Sequence, residues 1–377
     1  MKLLHLADLH IGKKVNEFSM IDDQKYILTK ILNIIDDEKL DAILIAGDVY
    51  DKSIPSAEAV EVLDKFINDI AKRKIETFII SGNHDSAERM AFASKLIDTT
   101  GIHISPVYNG NIAPHTISDA FGNVNVYMLP YIKPIHVKQA FGIEDSISYS
   151  DAVRIAIEKM NVNAVERNVI ISHQFVTGAT PCESEDLSVG GTDGVSASVY
   201  DDFDYVALGH IHGPQKTSRD TARYSGTPLK YSFSEANHKK SVTIIEMAEK
   251  GKIDISLIPL EPKRDMVEIK GEYDELMSKS YYDNLNLDNY YHITLTDEDD
   301  VPDAISRLRN VYKKIMKLDY DNKRTRSRRQ LNVTDDVENK TPIQLVNELY
   351  EKQNAIEMSD EQSAYIASII EKIWEEQ

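Results

Sequence analysis

The stretch KLLHLADLH at residues 2–10 is an apolar run that closes on an aspartate and a histidine. Short runs of this kind, rich in aliphatic and β-branched residues, predict buried strands. Four later runs also close on polar residues of the same types: DAILIAGD (41–48), ETFIISGNHD (76–85), NVIISH (168–173) and DYVALGHIH (204–212). Strands that alternate with helical patterns predict an α/β layered core over residues 2–260.

Helical patterns occupy the intervals between these strands. Residues 57–71 carry Val60, Leu63, Phe66 and Ile70 at spacings of three and four, which predicts an amphipathic helix covering the sheet. Later segments alternate apolar and polar residues instead. The stretches TSRDTARYSGTP (217–228), SVTIIEM (241–247) and KIDISLIPL (252–260) therefore predict further strands, some of them in a second sheet.

The polar residues that end the strand runs are candidate metal ligands, because loops beyond the carboxyl ends of strands converge on one crevice. Asp48 can bridge two cations through its two oxygens. Mixed nitrogen and oxygen donors suit Mn²⁺, Fe²⁺ or Zn²⁺ better than Ca²⁺ or Mg²⁺. Two such cations support hydrolysis of a phosphate ester. The predicted ligands are Asp8, His10, Asp48, Asn83, His173, His210 and His212.

His84 is assigned a different role, because Asn83 beside it already supplies an amide oxygen to the metal. A protonated imidazole at His84 can donate to a leaving oxygen as general acid. Asp85 either orients that ring or caps the helix that begins near Ser86. Cys182 lacks a separate histidine and acid framework, so it is not assigned as a nucleophile. The remaining histidines are predicted to be structural: His5, His103, His115, His136, His238 and His292.

The composition limits where the chain works and what it contacts. A chain of 377 residues with one cysteine needs no disulfide framework, which favours a reducing compartment and predicts a cytoplasmic protein. The N-terminus reads as neither a signal peptide nor a membrane span, and no contact with a membrane is expected. The formal net charge of −19 opposes a simple DNA-binding protein, although basic clusters occur, above all at 323–329.

The residues after 260 form separate predicted units. Residues 261–320 read as a small α/β domain with strands MVEIKG and YYHITLT and helices at 273–278 and 302–318. Residues 321–340 read as a basic linker. In the segment 341–377, Thr341 and Ser359 are each followed three residues later by glutamine, which predicts two capped helices in a hairpin. Its apolar stripe packs either on the parent domain or on a partner.

These motifs resemble the calcineurin-like metallophosphoesterases, through Asp8, His10, Asp48, the quartet 82–85, His173 and the quartet 209–212. Three further stretches resemble the SbcD family of bacterial nuclease subunits: HLADLHIGK (5–13), SVGGTDGV (188–195) and YSGTPLKYSFSE (224–235). The resemblance implies a four-layer αββα sandwich, a capping domain that binds DNA, and a C-terminal helix-loop-helix that binds the coiled coil of an SbcC-type ATPase.

The same resemblance implies an activity. It implies two Mn²⁺ ions, 3′ to 5′ exonuclease action on duplex ends, and endonuclease action on hairpins and single strands, in DNA repair and recombination. It also implies a homodimer within a two-plus-two complex and a place at the nucleoid. Archaeal relatives carry a histidine where this chain has Asp51, so His84 is left as the expected proton donor.

Two other functions compete with a nuclease. The first is another enzyme of the same superfamily, a phosphodiesterase or phosphatase acting on a small molecule or a protein. It needs neither a capping domain nor a partner-binding tail. The second is an adaptor without catalysis that senses DNA ends. A complete set of metal ligands argues against the adaptor, because a scaffold has no need of such a site.

Overall fold

The structure is a computed structural model that describes residues 1–92, 94–185, 193–299, 301–323, 325, 341–354 and 357–376. Most of the predicted basic linker and the first five residues of SVGGTDGV lie outside the described residues. Within the described part of the chain, no helix is both long and apolar enough to span a bilayer.

The strands and helices follow in chain order. The strands are β1 (Lys2–Leu6), β2 (Lys14–Val15), β3 (Phe18–Ser19), β4 (Ala42–Ala46), β5 (Glu76–Ile80), β6 (Ile102–Ile104), β7 (His115–Asp119), β8 (Gly122–Leu129), β9 (Arg167–His173), β10 (Tyr205–Gly209), β11 (Gln215–Lys216), β12 (Ala222–Tyr224), β13 (Ser241–Met247), β14 (Ile253–Pro259), β15 (Met266–Gly271), β16 (Tyr290–Leu295) and β17 (Ile315–Tyr320). The helices are α1 (Ile21–Glu38), α2 (Ala57–Ala71), α3 (Ala87–Met90), α4 (Ser94–Ile97), α5 (Pro134–Phe141), α6 (Tyr149–Lys159), α7 (Tyr273–Leu276), α8 (Lys279–Tyr282), α9 (Ala304–Leu308), α10 (Pro342–Asn354) and α11 (Asp360–Glu376).

Two six-stranded sheets form the centre of the molecule, in the orders β14-β13-β1-β4-β5-β6 and β11-β12-β10-β9-β8-β7. Strands β1, β4, β5 and β6 run parallel, as do β8, β9, β10 and β12. An apolar layer that includes Leu44, Phe78 and Ile171 fills the space between the sheets. The carboxyl ends of β1, β4 and β5 therefore face those of β9 and β10 across this layer.

Helices cover the outer face of each sheet. On α1, Ile27, Ile31 and Ile35 are buried at a spacing of four, and α2 packs beside α1 in the same apolar core. Helix α2 covers 57–71, as predicted, and the Ser56 hydroxyl caps it by accepting from the backbone of Ala59. Helices α5 and α6 close the second sheet. The four-layer αββα sandwich is confirmed.

The small α/β unit after residue 260 has its own core. Strands β15, β16 and β17 form a three-stranded parallel sheet, and Leu276, Ile293 and Tyr312 are buried in its core. The predicted helix at 302–318 is wrong, because only Ala304–Leu308 is helical and 315–320 is β17. Pairing with β16 buries Ile315 and satisfies the backbone of this segment, and that tertiary gain overrides its helical spacing.

Helices α10 and α11 form a helical hairpin at the end of the described chain. Thr341 and Gln344 exchange hydrogen bonds between their side chains and backbone amides, and Ser359 and Gln362 do the same. Both are capping boxes at the predicted helix starts. The four apolar cores formed by the described residues contain no side chain from this hairpin.

Candidate metal centre

The seven predicted ligands come from five strand ends and meet in one crevice between the two sheets. Three of these ends belong to the first sheet and two to the second. Buried strands fix the loops on either side, so the polar side chains project where the strands stop. The side chains of Asp8, His10, Asp48, His173 and His212 are almost wholly buried.

One group of donors gathers Asp8, His10 and His212, whose ligand atoms lie within 4.8 Å of one another. The Nε2 atoms of His10 and His212 face each other at 3.2 Å. The Nε2 atom of His10 is also 3.7 Å from an oxygen of Asp48. These residues surround one position to which nitrogen and carboxylate donors point.

A second group gathers around Asn83. Its side-chain oxygen lies 2.9 Å from Nε2 of His173 and 3.0 Å from Nδ1 of His210. Nε2 of His173 is 3.3 Å from Oδ2 of Asp48, the same oxygen that faces His10. Asp48 thus lies between the two donor groups, as a bridging carboxylate must.

The backbone of the centre is strained. The backbone φ angles are 52° at Asp8, 44° at His10, 47° at Asp48 and 101° at His210. Positive φ is uncommon for residues other than glycine and costs on the order of 1–3 kcal/mol at each position. Four candidate ligands therefore hold a conformation that the surrounding sandwich must impose.

Gly82 is required by close packing against the proposed bridge. A Cβ atom added there would lie 2.1 Å from Oδ1 of Asp48 and 2.4 Å from its backbone nitrogen. The backbone N–H of His84 donates to the same Oδ1 at 2.9 Å. The turn formed by Gly82, Asn83 and His84 therefore holds Asp48 by backbone contact, which explains why glycine precedes Asn83.

Hydrogen bonds to backbone carbonyls set the tautomers of two rings. His173 donates from Nδ1 to the carbonyl of Ala46 at 2.8 Å, which leaves its Nε2 facing Asp48. His84 donates from Nδ1 to the carbonyl of Asp51 at 3.0 Å, and its Nε2 lies 3.9 Å from Asp48. Residue 51 thus orients His84 through its backbone, a role that its side-chain identity does not reveal.

Burial and mutual charge strongly shift the pKa values of the carboxylates and imidazoles in the centre. Burial raises the pKa of Asp8 to about 7 and lowers the pKa of His210 to about 3. Burial favours the neutral form of Asp48, but His173 and the other nearby imidazoles hold its pKa well below the ordinary value. Burial likewise opposes a charge on His173, yet Asp48 and Asp8 raise its pKa to about 9. Such interdependence is typical of sites that exchange protons for cations.

The donors fit two divalent cations. Among the described residues, Oδ2 of Asp8 is buried without a hydrogen-bond partner, although a buried carboxylate oxygen normally has one. Imidazole nitrogens with fixed tautomers, carboxylates and an amide oxygen form the mixed donor set expected for transition metals. This donor set fits the two divalent ions that the motif resemblance implies.

Asp85 holds two loops of the centre through their backbone amides. Its carboxylate accepts from the backbone N–H groups of Val49 (3.1 Å), Tyr50 (2.9 Å) and Gly82 (2.9 Å). It therefore joins the loop after β4 to the loop after β5. The cap of α3 is Ser86, whose hydroxyl accepts from the backbone of Arg89.

Three residues that were not predicted from the sequence hold His212 in place through hydrogen bonds: Ser184, Glu235 and Lys240. Nδ1 of His212 lies 2.7 Å from the Ser184 hydroxyl, which donates to Glu235 at 2.6 Å. Lys240 pairs with Glu235 and donates to the carbonyl of His212 at 2.9 Å. Burial opposes a charge on Glu235, but His212 and Lys240 hold its pKa well below the ordinary value. Only the stretch YSGTPLKYSFSE, which ends at Glu235, signalled this support.

Helix α1 links the centre to the small α/β unit. Asp23 is buried and accepts from Nη1 of Arg264 at 2.8 Å and from the Tyr290 hydroxyl at 2.7 Å. The next residue, Gln24, donates to the carbonyl of His10 at 2.7 Å and accepts from the backbone of Gly12 at 2.9 Å. Adjacent residues therefore contact the small unit and a ligand loop.

Comparison with known proteins agrees with this architecture. Residues 1–214 match the family described as Calcineurin-like phosphoesterase, and residues 262–354 match the Type 5 capsule protein repressor C-terminal domain. The SbcD subunit of the nuclease SbcCD from Staphylococcus epidermidis is 32% identical over 322 residues, which cover 84% of this chain and 85% of that protein.

Two solved structures are also similar. A dimetal phosphatase from Danio rerio matches with 14% identity and a TM-score of 0.40, over 69% of this chain and 98% of its own. A protein from Thermus thermophilus matches with 11% identity and a TM-score of 0.41, over 68% of this chain and 98% of its own. From the family match and the staphylococcal relative, the chain belongs to the calcineurin-like metallophosphoesterases, which are metal-dependent phosphoesterases, and within them to the SbcD family of nuclease subunits.

Proposed function

We propose that this chain hydrolyses phosphodiester bonds of DNA with two divalent cations, as the nuclease subunit of a complex with an SbcC-type ATPase. The observation that carries the chemistry is the convergence of two donor groups on Asp48. A nucleic acid substrate is supported by the staphylococcal relative, whose name describes a nuclease, and the choice of DNA rests on the family resemblance. The alternative is another phosphodiesterase or phosphatase of the same superfamily that acts on a small molecule or a protein.

The proposed ligand roles follow the two donor groups. Asp8, His10 and His212 would hold one ion, and Asn83, His173 and His210 would hold the other. Asp48 would contribute to both. When bound, two such ions activate water and neutralise charge on the phosphodiester. Mn²⁺ is proposed because the family resemblance implies it; the mixed imidazole and oxygen donors suit Mn²⁺, Fe²⁺ and Zn²⁺ alike.

His84 is proposed to give the proton that the leaving oxygen needs. Its Nδ1–H donates to the carbonyl of Asp51, so the proton given to the leaving oxygen must come from Nε2. That atom points to the side of Asp48, where the scissile phosphate is expected. Because the ring is 18% exposed, it can exchange protons with solvent between turnovers.

The proposed substrates and partners rest on the family. They are duplex ends, cut 3′ to 5′, and hairpins and single strands, cut internally. A net charge of −19 means that the isolated chain should bind DNA weakly and lose affinity steeply with salt. The ATPase, bound through the hairpin α10–α11, is proposed to supply much of the affinity, within a homodimeric two-plus-two assembly at the nucleoid in the cytoplasm.

A cleavage assay tests the proposal. The full chain with Mn²⁺ is given end-labelled linear duplex and hairpin DNA, beside p-nitrophenyl phosphate and a cyclic nucleotide. We expect cleavage of DNA, faster with the ATPase and ATP present. Rapid turnover of either small molecule with no cleavage of DNA, with or without the ATPase, would identify a small-molecule enzyme instead.

A further inference from the structure

A second set of imidazoles and carboxylates lies at the open edge between the two sheets. His103 is on β6 and His115 begins β7, and each of these strands is the last of its sheet. The two rings are 4.5 Å apart between centroids. Asp98 lies in the turn that precedes β6. Elements distant in topology therefore bring two histidines and an acid together.

The ring of His103 is held firmly. Its Nδ1 lies 2.5 Å from an oxygen of Asp98, and its Nε2 lies 2.7 Å from an oxygen of Glu76. It stacks on the buried ring of Phe78 with centroids 4.8 Å apart and planes at 17°. Phe78 is its cross-strand neighbour on β5, so the sheet itself fixes this orientation.

We propose that Asp98, His103 and His115 form a third metal site, which binds Zn²⁺ and joins the edges of the two sheets. The ligand atoms of these residues lie within 4.8 Å of one another. Zinc bonds of about 2 Å need donors roughly 3–4 Å apart, so small side-chain movements complete the shell. Because Asp98 is 52% exposed, water could reach the fourth position.

Glu76 has the position of the outer carboxylate of such a site. Imidazoles that bind metals usually donate their other N–H to a carboxylate, which fixes the ring and makes it a better ligand. With Nε2 of His103 bonded to Glu76, its Nδ1 is the nitrogen directed at Asp98.

This cluster is separate from the catalytic centre. Glu76 is the first residue of β5, whereas Asn83 and His84 follow its carboxyl end. The cluster also differs from an ordinary ion pair of histidine with two acids, which the small α/β unit provides for comparison. There, His292 lies 2.9 Å from Glu268 and 2.8 Å from Asp319. The described residues place no second imidazole in ring contact with His292.

Metal content of the full chain tests the proposal. The protein is stripped of metal, saturated with Zn²⁺, separated from excess and analysed for zinc per chain. We expect three ions in the wild type, two in His115→Asn and two in Asp98→Asn. The matched control His292→Asn should keep three. In Asp48→Asn, where the catalytic ions are lost, one zinc ion should remain, so the result does not depend on the proposed function.

Thermal unfolding gives a second measurement. Saturating Zn²⁺ should raise the Tm of Asp48→Asn by at least about 2 °C, since a ligand that binds only the folded state stabilises it. Adding His115→Asn to that variant should remove the rise. Asp98 is exposed, so Asp98→Asn is expected to fold even if His115→Asn does not. Equal zinc content in the wild type, His115→Asn and Asp98→Asn would overturn the proposal, as would loss of all zinc in Asp48→Asn.

Discussion

The candidate metal centre and the C-terminal hairpin are built in opposite ways. The centre takes its side chains from five strand ends across two sheets, and most of them are buried. Hairpin residues 341–350 and 357–370 include no fully buried side chain. Long-range packing therefore determines the centre, whereas local sequence determines the hairpin.

This difference extends to the backbone. Asp8, His10, Asp48 and His210 keep positive φ angles, whose energetic cost the packing around these buried residues must offset. The hairpin helices start at two capping boxes, which need no more than four consecutive residues each. A change in the centre should consequently disturb function, fold or both, and a change in the hairpin should disturb only what binds it.

The largest expected effect distinguishes the proposed bridging carboxylate, Asp48, from the proposed general acid, His84. Asp48→Asn should lose both catalytic metal ions and reduce DNA cleavage by about 10⁴-fold or more, because it removes the shared carboxylate. His84→Gln should reduce cleavage by about 10²–10⁴-fold while keeping both catalytic ions.

Elemental analysis beside the cleavage assay distinguishes the two variants, with exposed Asp220→Asn as control. If His84→Gln lost the catalytic ions, His84 would be a ligand and not the proton donor.

Gly82→Ala tests whether close packing against Gly82 holds the proposed bridging carboxylate, Asp48, in position. The added Cβ would meet Oδ1 of Asp48 at 2.1 Å, so the loop must shift and cleavage should fall by about 10²-fold. We expect the free energy of unfolding to fall by about 1–3 kcal/mol as well.

Gly213→Ala is the matched control beside the same centre. Its added Cβ would lie 3.2 Å from the ring of His238 and 3.5 Å from Nε2 of Gln215, and both are side chains that can move. Cleavage and urea denaturation are measured for both. Similar losses in the two variants would show that contact with Asp48 is not what Gly82 protects.

An ion pair far from the centre tests how strongly the second sheet is tied together. Arg167, which is 4% exposed, binds Asp119 through Nη2 at 2.5 Å and Nη1 at 3.1 Å, and it also donates to the carbonyls of Gly122 and Ala248. Its guanidinium holds the pKa of Asp119 well below the ordinary 3.8. Asp119→Asn should lower the free energy of unfolding by about 3 kcal/mol at pH 7.

The sign of the pH dependence follows from the lowered pKa. A carboxylate with a depressed folded-state pKa stabilises the fold above its unfolded value of 3.8 and loses that contribution as pH falls below it. The difference between wild type and Asp119→Asn should therefore shrink from about pH 5 to about pH 3 in urea denaturation. A difference that stayed constant with pH would exclude the ion pair as its source.

The smallest expected effect on the catalytic domain comes from removing the hairpin. Deleting residues 341–377 should leave the melting transition of the sandwich within about 1 °C and keep Mn²⁺-dependent endonuclease activity, because the described cores exclude the hairpin. The same deletion should abolish co-purification with the ATPase. A deletion that unfolded the sandwich would show that the hairpin packs on the parent domain.

The sequence predicted what depends on local pattern and strand order. The strand runs and their terminal residues were enough to bring seven candidate ligands together, and capping boxes located both hairpin helices. The helix predicted at 302–318 failed because pairing between β16 and β17 decides that segment. The tasks of Asp85 and Glu235 depend on backbone amides and on residues far along the chain, for which spacing gives no signal.

The adjacency of Asp23 and Gln24 on α1 has a consequence for regulation. A ligand that moves the small α/β unit acts on Asp23, and the loop of His10 is held one residue away. Binding equilibria coupled in this way are reciprocal, so each ligand changes the affinity of the other by the same factor. DNA that binds tighter to the metal-loaded chain must therefore tighten metal binding by an equal amount, and substrate would help to assemble the centre that cuts it.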